Sequence, residues 1–201
     1  MTEWNVTFTN ASPVPFVAAI WQVLPDAGLT PVSWLQARVL PGAIAPFKWD
    51  DQYQVVLAKY EDKLPSGVYT PDVERARDAK PGSTWDAITI NGVDYLSDDE
   101  QKGDGPIAIT NRSTGPVNAG LMQSGSAVTY AHDLAVESAA SFTLQPKYQF
   151  GLFADLQAGQ VIKGVPPAVG PRPLTFPPGV QRLLVTAVLQ GQTIVLTVVP
   201  G

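Results

Sequence analysis

The chain has 201 residues, of which 45% are hydrophobic and 15% are charged, with a formal net charge of −5 and no cysteine. This apolar content suffices for a packed core, and the lack of cysteine excludes disulfides and cysteine-ligated zinc. Lysine and arginine form no cluster that could neutralise a phosphate backbone, so we expect no nucleic-acid partner.

The first predicted strand lies near the N-terminus, where Trp4, Val6 and Phe8 alternate with Asn5 and Thr7. Proline and glycine, with 19 and 17 residues, are spread along the chain and separate many short apolar segments. Further strands are predicted, in chain order, over residues 16–24, 32–39, 45–49, 53–60, 85–90, 93–96, 107–110, 117–122, 127–136, 140–144, 148–154, 183–189 and 193–199.

Only one helix is predicted, two turns over residues 72–80. Asn91-Gly92, between two predicted strands, is typical of a type I′ hairpin turn. Strands at this density, separated by proline and glycine, indicate an all-β fold of the sandwich or barrel kind.

An internal repeat is the strongest pattern in the sequence. Residues 5–22 align without a gap on residues 106–123, an offset of 101. The identical pairs in this block are Thr9/Thr110, Asn10/Asn111, Ser12/Ser113, Pro15/Pro116, Ala18/Ala119 and Gln22/Gln123. A second block, at an offset of 95, places Ala45, Phe47, Tyr53, Gln54 and Leu57 on Ala140, Phe142, Tyr148, Gln149 and Leu152. A third and weaker block places residues 88–92 on 187–191, an offset of 99.

We therefore predict an all-β protein made of two tandem, internally duplicated β-sandwich lobes, residues 1–100 and 101–201. A pseudo-twofold packing of the two lobes would cover their sheet edges, because unpaired edges invite aggregation. The boundary is placed in residues 97–105, the most polar and glycine-rich stretch. The alternative is that two β-rich halves share an apolar alternation without being copies.

Catalytic motifs are not evident. The single histidine, His132, leaves a serine–histidine pair as the only nucleophilic option, and no Gly-x-Ser-x-Gly motif accompanies it. Asp133 follows His132 directly, so on a regular strand the two side chains would point to opposite faces. Carboxylate-only chemistry, as in glycosidases, remains open for Asp50, Asp51, Asp86 and Asp155.

A metal site is weakly indicated. Asp98, Asp99, Glu100 and Asp104 form an acidic stretch whose oxygens suit calcium, but their spacing is not that of an EF-hand loop. A solvated linker explains the stretch better, so no cofactor is predicted.

Tryptophan offers a candidate ligand surface. All five tryptophans lie in residues 1–100, and tryptophan presents a large apolar face with one hydrogen-bond donor to sugar rings or lipid headgroups. The candidate binding residues are Trp21, Trp34, Trp49, Tyr53 and Trp85. The alternative is that these rings fill the core of the first repeat.

A family resemblance rests on four short motifs. The first strand ends in Thr9-Asn10-Ala11-Ser12, Pro41-Gly42 follows, then Phe47-Lys48-Trp49, and Tyr53 begins an apolar strand. This arrangement resembles the bacterial rhizosphere-expressed RhiA-like proteins, a resemblance that implies no enzymatic activity and no site residues. Size, acidity and tryptophan content are also similar to the β-sandwich cytolysins of the aegerolysin kind.

The expected function is binding or assembly by a soluble, non-enzymatic protein whose partner is a glycan, a lipid or another protein. A membrane- or lipid-interacting protein of the cytolysin type is the alternative, and a carboxylate-based glycan-active enzyme comes third. No run approaches the ~20 apolar residues of a spanning helix, and Met1–Asn5 does not begin an export signal. The sequence thus favours a cytoplasmic or leaderless secreted protein without a transmembrane segment.

Overall fold

The computed structural model describes residues 2–97, 100–101 and 103–201. Within these residues the strands are β1 (Glu3–Ala11), β2 (Phe16–Val23), β3 (Leu29–Pro31), β4 (Leu35–Val39), β5 (Ile44–Asp50), β6 (Tyr53–Glu61), β7 (Val68–Pro71), β8 (Arg77–Ala79), β9 (Ser83–Ile90), β10 (Val93–Leu96), β11 (Glu100–Gln101), β12 (Ile107–Asn111), β13 (Val117–Gln123), β14 (Ser126–Leu134), β15 (Ala139–Phe142), β16 (Lys147–Phe153), β17 (Val169–Leu174), β18 (Arg182–Gln190) and β19 (Thr193–Pro200). The prediction of an all-β protein is confirmed.

The alternation in the first strand is confirmed, because Val6, Phe8 and Asn10 point inward and are fully buried. The predicted turn at Asn91-Gly92 is also present, with φ of +52° and +77° at the two residues. Positive φ at both central positions is what a type I′ turn requires.

The predicted helix over residues 72–80 is wrong. A single 3₁₀ turn, Val73–Arg75, is followed by β8, which pairs antiparallel with β6. Pairing with an existing strand therefore overrides the weak local preference for helix. Five short strands were not predicted, and three of them contain proline: β3, β7 and β17.

The strands form four sheets. Sheet I has the order β19-β18-β1-β5, and sheet II has the order β17-β16-β2-β4. Sheet III has the order β3-β14-β13-β6-β7, with β8 also against β6, and sheet IV has the order β10-β9-β12-β15, with β11 also against β9. Sheets I and IV share one pattern. In sheet I, strand β18 of a hairpin pairs parallel with β1, and β1 pairs antiparallel with β5. In sheet IV, strand β9 of a hairpin pairs parallel with β12, and β12 pairs antiparallel with β15.

Every sheet combines strands from both halves of the chain. In sheet I, β1 and β5 pair with the C-terminal hairpin β18–β19, while in sheet IV β12 and β15 pair with the hairpin β9–β10 of the first half. Sheets II and III likewise join strands that precede and follow residue 100. The boundary predicted in residues 97–105 therefore does not separate the sheets, and residues 1–100 and 101–201 do not each build their own.

The sheets pack in two pairs, which we call the first and second lobes. In the first lobe, sheet I packs on sheet II through Phe8 and Phe150, whose ring centroids are 5.1 Å apart. In the second lobe, sheets III and IV pack together, with β10 against β6. The strands of the first lobe thus come from the two ends of the chain, residues 3–50 and 147–200, and those of the second lobe come from the middle, apart from β3 (Leu29–Pro31).

Two residues that the sequence alignment places on each other occupy corresponding places in sheets I and IV. Asn10 pairs with Ala187 across β1 and β18, and Asn111 pairs with Ala87 across β12 and β9. The alignments at offsets 101 and 95 agree with this pattern. The third block does not, because Ala87 and Ala187 are related by an offset of 100 rather than 99.

The segment 154–168 crosses the outer faces of sheets II and III. Leu156 and Val165 complete an apolar cluster on sheet II, and Val161 packs on a second cluster on sheet III. Backbone hydrogen bonds hold the segment on both sides, from Ser33 N to the Gln160 oxygen at 2.8 Å and from Tyr69 N to the Gly159 oxygen at 2.9 Å. The segment therefore ties the two lobes together away from the main core.

Candidate functional site

The lobes meet at a buried glutamine pair, Gln22 and Gln123, which the sequence alignment at an offset of 101 places on each other. Gln22 and Gln123 are 0% and 1% exposed, and the Gln22 amide donates a hydrogen bond to the Gln123 side-chain oxygen. Gln123 also donates to the carbonyl of Asp50, and Trp34 Nε1 donates to the Gln123 carbonyl at 3.0 Å. The amides are thereby fixed, since a buried amide left without partners is costly.

Each glutamine pairs in its sheet with a tyrosine from the other half of the chain. Gln22 lies opposite Tyr148 across β2 and β16, and Gln123 lies opposite Tyr53 across β13 and β6. The Tyr53 hydroxyl donates to the Gln22 side-chain oxygen at 3.3 Å. The two tyrosines, themselves equivalent at an offset of 95, therefore meet at the junction of the lobes.

Burial controls the chemistry of these hydroxyls. Desolvation is the main cause that raises the pKa of Tyr53 well above its usual range, and the neighbouring Tyr148 raises it further. Desolvation likewise raises the pKa of Tyr148. Both side chains are thus neutral at physiological pH, so they act as hydrogen-bond donors and acceptors and not as anionic bases.

A cleft of about 510 Å³ opens where these tyrosines approach the surface, and we call it the inter-lobe cleft. The residues that line it are Asp51, Gln52, Tyr53, Asp78, Ala79, Lys80, Pro81, Leu144, Pro146 and Tyr148. Residues 51–52 connect β5 to β6, and residues 143–146 make the equivalent connection from β15 to β16. The cleft therefore lies where the chain crosses twice between the lobes.

Charged groups of both signs lie in the inter-lobe cleft. The Asp51 carboxylate accepts a hydrogen bond from Trp4 Nε1 at 2.9 Å, and the Asp78 carboxylate accepts one from Gln54 at 2.9 Å. Lys80 adds an exposed cation on the same lining. A ligand here meets donors, acceptors and apolar ring surface together, as in most small-molecule sites.

A second groove, of about 450 Å³, adjoins the cleft and shares Pro146 and Tyr148 with it. We call it the aromatic groove, because Trp4 and Phe176 line it with ring centroids 4.7 Å apart. Tyr148 lies 6.3 Å from Phe176, and Trp49 supports both rings from the core at 5.2 and 5.9 Å. Tyr148 therefore contacts a polar cleft on one side and an aromatic groove on the other.

The five candidate ligand residues lie in the core, as the alternative interpretation of the tryptophans predicts. Trp21, Trp34, Trp49, Tyr53 and Trp85 are 6%, 1%, 2%, 7% and 6% exposed. Of these, Tyr53 lines the inter-lobe cleft. Trp34 and Trp49 pack behind Tyr148, whereas Trp21 packs on Phe153 at the outer face of sheet II. The structure thus brings three of the five to one place and leaves Trp21 and Trp85 elsewhere.

Sequence reasoning missed several residues of this site. Trp4 and Phe176 were not singled out, although both are half-buried and line the aromatic groove. The alignment of Tyr148 on Tyr53 was a signal that could have identified Tyr148. No sequence signal pointed to Lys80.

His132 is held by aromatic side chains. The Tyr69 hydroxyl lies 2.7 Å from His132 Nδ1, and the Tyr60 ring lies 4.5 Å from the imidazole. His132 Nε2 is 3.5 Å from Asp133, so the expectation that the two side chains point to opposite faces is wrong. The reason is an irregularity in the pairing of β14 with β13, where Asp133 has a φ of +46°.

The remaining carboxylate candidates do not gather into a site. Asp86 forms an ion pair with Arg112 at 3.2 Å, and Asp155 is exposed. Asp98 and Asp99 lie outside the described residues, and Asp104 is exposed. In the part of the chain that the structure describes, no group of three or more histidine, cysteine, aspartate or glutamate side chains is placed to hold a metal ion.

Across residues 2–97, 100–101 and 103–201, none of the secondary structure is a helix with the length and apolarity needed to cross a bilayer.

Comparison with known proteins identifies the family. The family model described as RhiA matches residues 1–198. The chain therefore belongs to the RhiA family, and the resemblance seen in the sequence motifs is confirmed. No match was found among curated proteins or among solved structures.

Proposed function

We propose that the protein acts by binding, and that its ligand is a short carbohydrate held in the inter-lobe cleft and the aromatic groove. The observation that carries the proposal is the position of Tyr148, which lines both spaces. A sugar ring has apolar C–H faces and polar hydroxyls, so it needs an aromatic surface and hydrogen-bonding groups side by side.

The aromatic groove supplies the apolar surface. Trp4 and Phe176 are half-buried, so part of each ring is accessible, and Phe176 packs between Trp4 and the buried Trp49. Rings held in place by a core lose little conformational entropy on binding, which favours affinity.

The inter-lobe cleft supplies the polar groups. Asp51, Asp78 and Lys80 present acceptors and a cation, and the neutral Tyr148 hydroxyl both donates and accepts. This combination suits the vicinal hydroxyls of a sugar, each of which is both donor and acceptor.

A direct screen tests this function. The purified protein is applied to a glycan array, and a hit is titrated by calorimetry and by tryptophan fluorescence. Trp4 is the reporter, since Trp21, Trp34, Trp49 and Trp85 are buried. We expect Trp4→Ala and Lys80→Met to weaken binding at least tenfold. The control Lys163→Met, at an exposed site outside both spaces, should bind as the wild type does.

A second function, hydrolysis of a glycan, is favoured by one observation, namely that two carboxylates, Asp51 and Asp78, line the same cleft. Both already accept hydrogen bonds from neighbouring side chains. Binding alone predicts that the bound glycan is recovered unchanged. Release of a reducing end, abolished by Asp51→Asn and not by Asp155→Asn, would favour the enzyme instead.

We also propose that residues 1–100 and 101–201 are two copies of one β-sandwich unit, related by a pseudo-twofold axis, that have exchanged strands. Sheets I and IV have one strand order, and the buried asparagines of the repeat make the same bonds. Asn10 donates to the carbonyls of Val14 and Val39 at 2.8 and 3.1 Å. Asn111 donates to the carbonyls of Gly115 and Leu134 at 2.8 and 2.7 Å. This origin explains why a cleft forms at the crossing of the two copies.

A further inference from the structure

The β19 edge of sheet I differs from the other sheet edges of the described residues. β19 lies at this edge and pairs only with β18. An edge strand presents a row of backbone donors and acceptors, which proteins commonly block with proline, with charge or by keeping the strand short.

The other edges are blocked in these ways. Two edge strands carry proline inside the strand, β5 with Pro46 and β17 with Pro171 and Pro173. β3 and β7 have only three and four residues. β10 and β15 have four residues each, and β4 has five residues including Arg38. β19 has eight residues, Thr-Ile-Val-Leu-Thr-Val-Val-Pro, with no charge and with its single proline in last place.

The outer face beside the middle of this edge is also uncharged, and Arg182 lies on the same face only at the C-terminal end of β19. Thr9, Thr186 and Thr197 form one row across β1, β18 and β19 on the outer face of sheet I. Val199 is 49% exposed at the edge itself. A strand that approaches β19 therefore meets β-branched and threonine side chains and no like charge.

Charge is distributed so that this edge is the favourable place for self-association. Residues 51–146, which build most of the second lobe, carry 7 basic and 14 acidic side chains, a net charge of −7. The remaining residues, which include every strand of the first lobe, carry 6 basic and 4 acidic side chains, a net charge of +2. Two copies joined through the first lobe keep their acidic lobes far apart, where salt screens the repulsion.

We propose that β19 pairs antiparallel with β19 of a second copy about a twofold axis, so that sheet I continues across the dimer. An isologous contact of this kind satisfies the donors of each edge with the acceptors of the other. The uncharged sequence allows each residue to face its counterpart without repulsion. No residue of β18 or β19 lines the inter-lobe cleft or the aromatic groove, so this proposal does not depend on the carbohydrate-binding one.

Sedimentation equilibrium of the full chain over a wide range of concentrations tests the dimer. We expect the wild type to have twice the mass of the chain, and Thr197→Lys and Val195→Lys to be monomers with an unchanged circular dichroism spectrum. Thr9→Lys, in the same row but two strands from the edge, is the matched control and should stay dimeric.

Two results would overturn the proposal: a wild type that is monomeric at every concentration, or folded Thr197→Lys and Val195→Lys variants that remain dimeric. If one lysine variant fails to fold, the other still decides, because the two act at different positions of the same strand.

Discussion

Gln22 and Gln123, which are 101 residues apart in the chain, hydrogen-bond to each other in the interior of the molecule. Each belongs to a sheet that is shared by both halves of the chain. Their contact therefore joins the two lobes, and it places Tyr53 and Tyr148 beside the inter-lobe cleft.

The glutamine pair should show energetic coupling. Gln22→Leu or Gln123→Leu leaves a buried amide without its partner, which costs about 1–3 kcal/mol of unfolding free energy. The double variant removes both amides, so its loss should be smaller than the sum of the two single losses. Denaturant unfolding of the wild type, the two single variants and the double variant measures the coupling energy between the two amides. Gln192→Leu, at an exposed site, is the neutral control. Additive losses would show that the two amides act independently.

Gly159 should be intolerant of a side chain. A methyl group added there would lie 2.2 Å from the Tyr69 carbonyl oxygen, and the residue has a φ of +73°. Gly42 has a similar φ of +76° but open space around it, so Gly42→Ala carries only the conformational cost of about 1–2 kcal/mol. We expect Gly159→Ala to lower the melting temperature clearly more than Gly42→Ala does. Equal effects would mean that the segment 154–168 does not pack closely against β7.

The repeat-related asparagines should contribute equally to stability. Asn10 and Asn111 are fully buried and each donates to two backbone carbonyls. Either Asn→Ala change leaves those carbonyls unsatisfied, so we expect each to cost about 1–3 kcal/mol in urea unfolding. Half-buried Asn5 on the outer face of sheet I is the control, and Asn5→Ala should cost much less. A large difference between the Asn10 and Asn111 variants would contradict the equivalence of the two turns.

Stability should fall at alkaline pH. Desolvation is the main cause that raises the pKa of Tyr53, Tyr69, Tyr130 and Tyr148 above the usual value of 10.0. A pKa raised in the folded state favours the neutral form, so this contribution is complete below about pH 10 and is lost as the pH rises above it. Tyrosinate absorbance of these residues should appear together with loss of the β-sheet circular dichroism signal. Full ionisation of all six tyrosines in a protein that keeps this signal would contradict their burial.

Much of the fold could be predicted from local pattern, and the sheet partners could not. The alternation of Val6 and Phe8 and the Asn91-Gly92 turn are properties of neighbouring residues, and both are confirmed. The offset of 101 also aligned residues that occupy equivalent positions. The parallel partner of β1 lies far away in the sequence, in the other half of the chain. A sequence alignment of the two halves cannot identify this partner, because the alignment is the same whether strands pair within one half or between the halves.

The site was harder to predict for a related reason. Tryptophan content suggested a binding surface, but Trp34 and Trp49 are large apolar side chains whose burial stabilises the core. The inter-lobe cleft instead draws on Tyr53, Lys80 and Tyr148, which are distant in sequence and come together only through the two chain crossings. The residues that line the inter-lobe cleft are therefore determined by long-range strand pairing and not by amino-acid composition.

The exchange of strands between the two halves is tested most directly by expressing the halves as separate chains, residues 1–101 and 103–201. The structure predicts that neither half folds alone, because β1 and β5 lack β18–β19, and β12 and β15 lack β9–β10. Co-expressed halves should purify as a one-to-one complex with the circular dichroism spectrum and the cooperative unfolding of the intact chain. Two halves that each fold as independent monomers and do not associate would contradict the account.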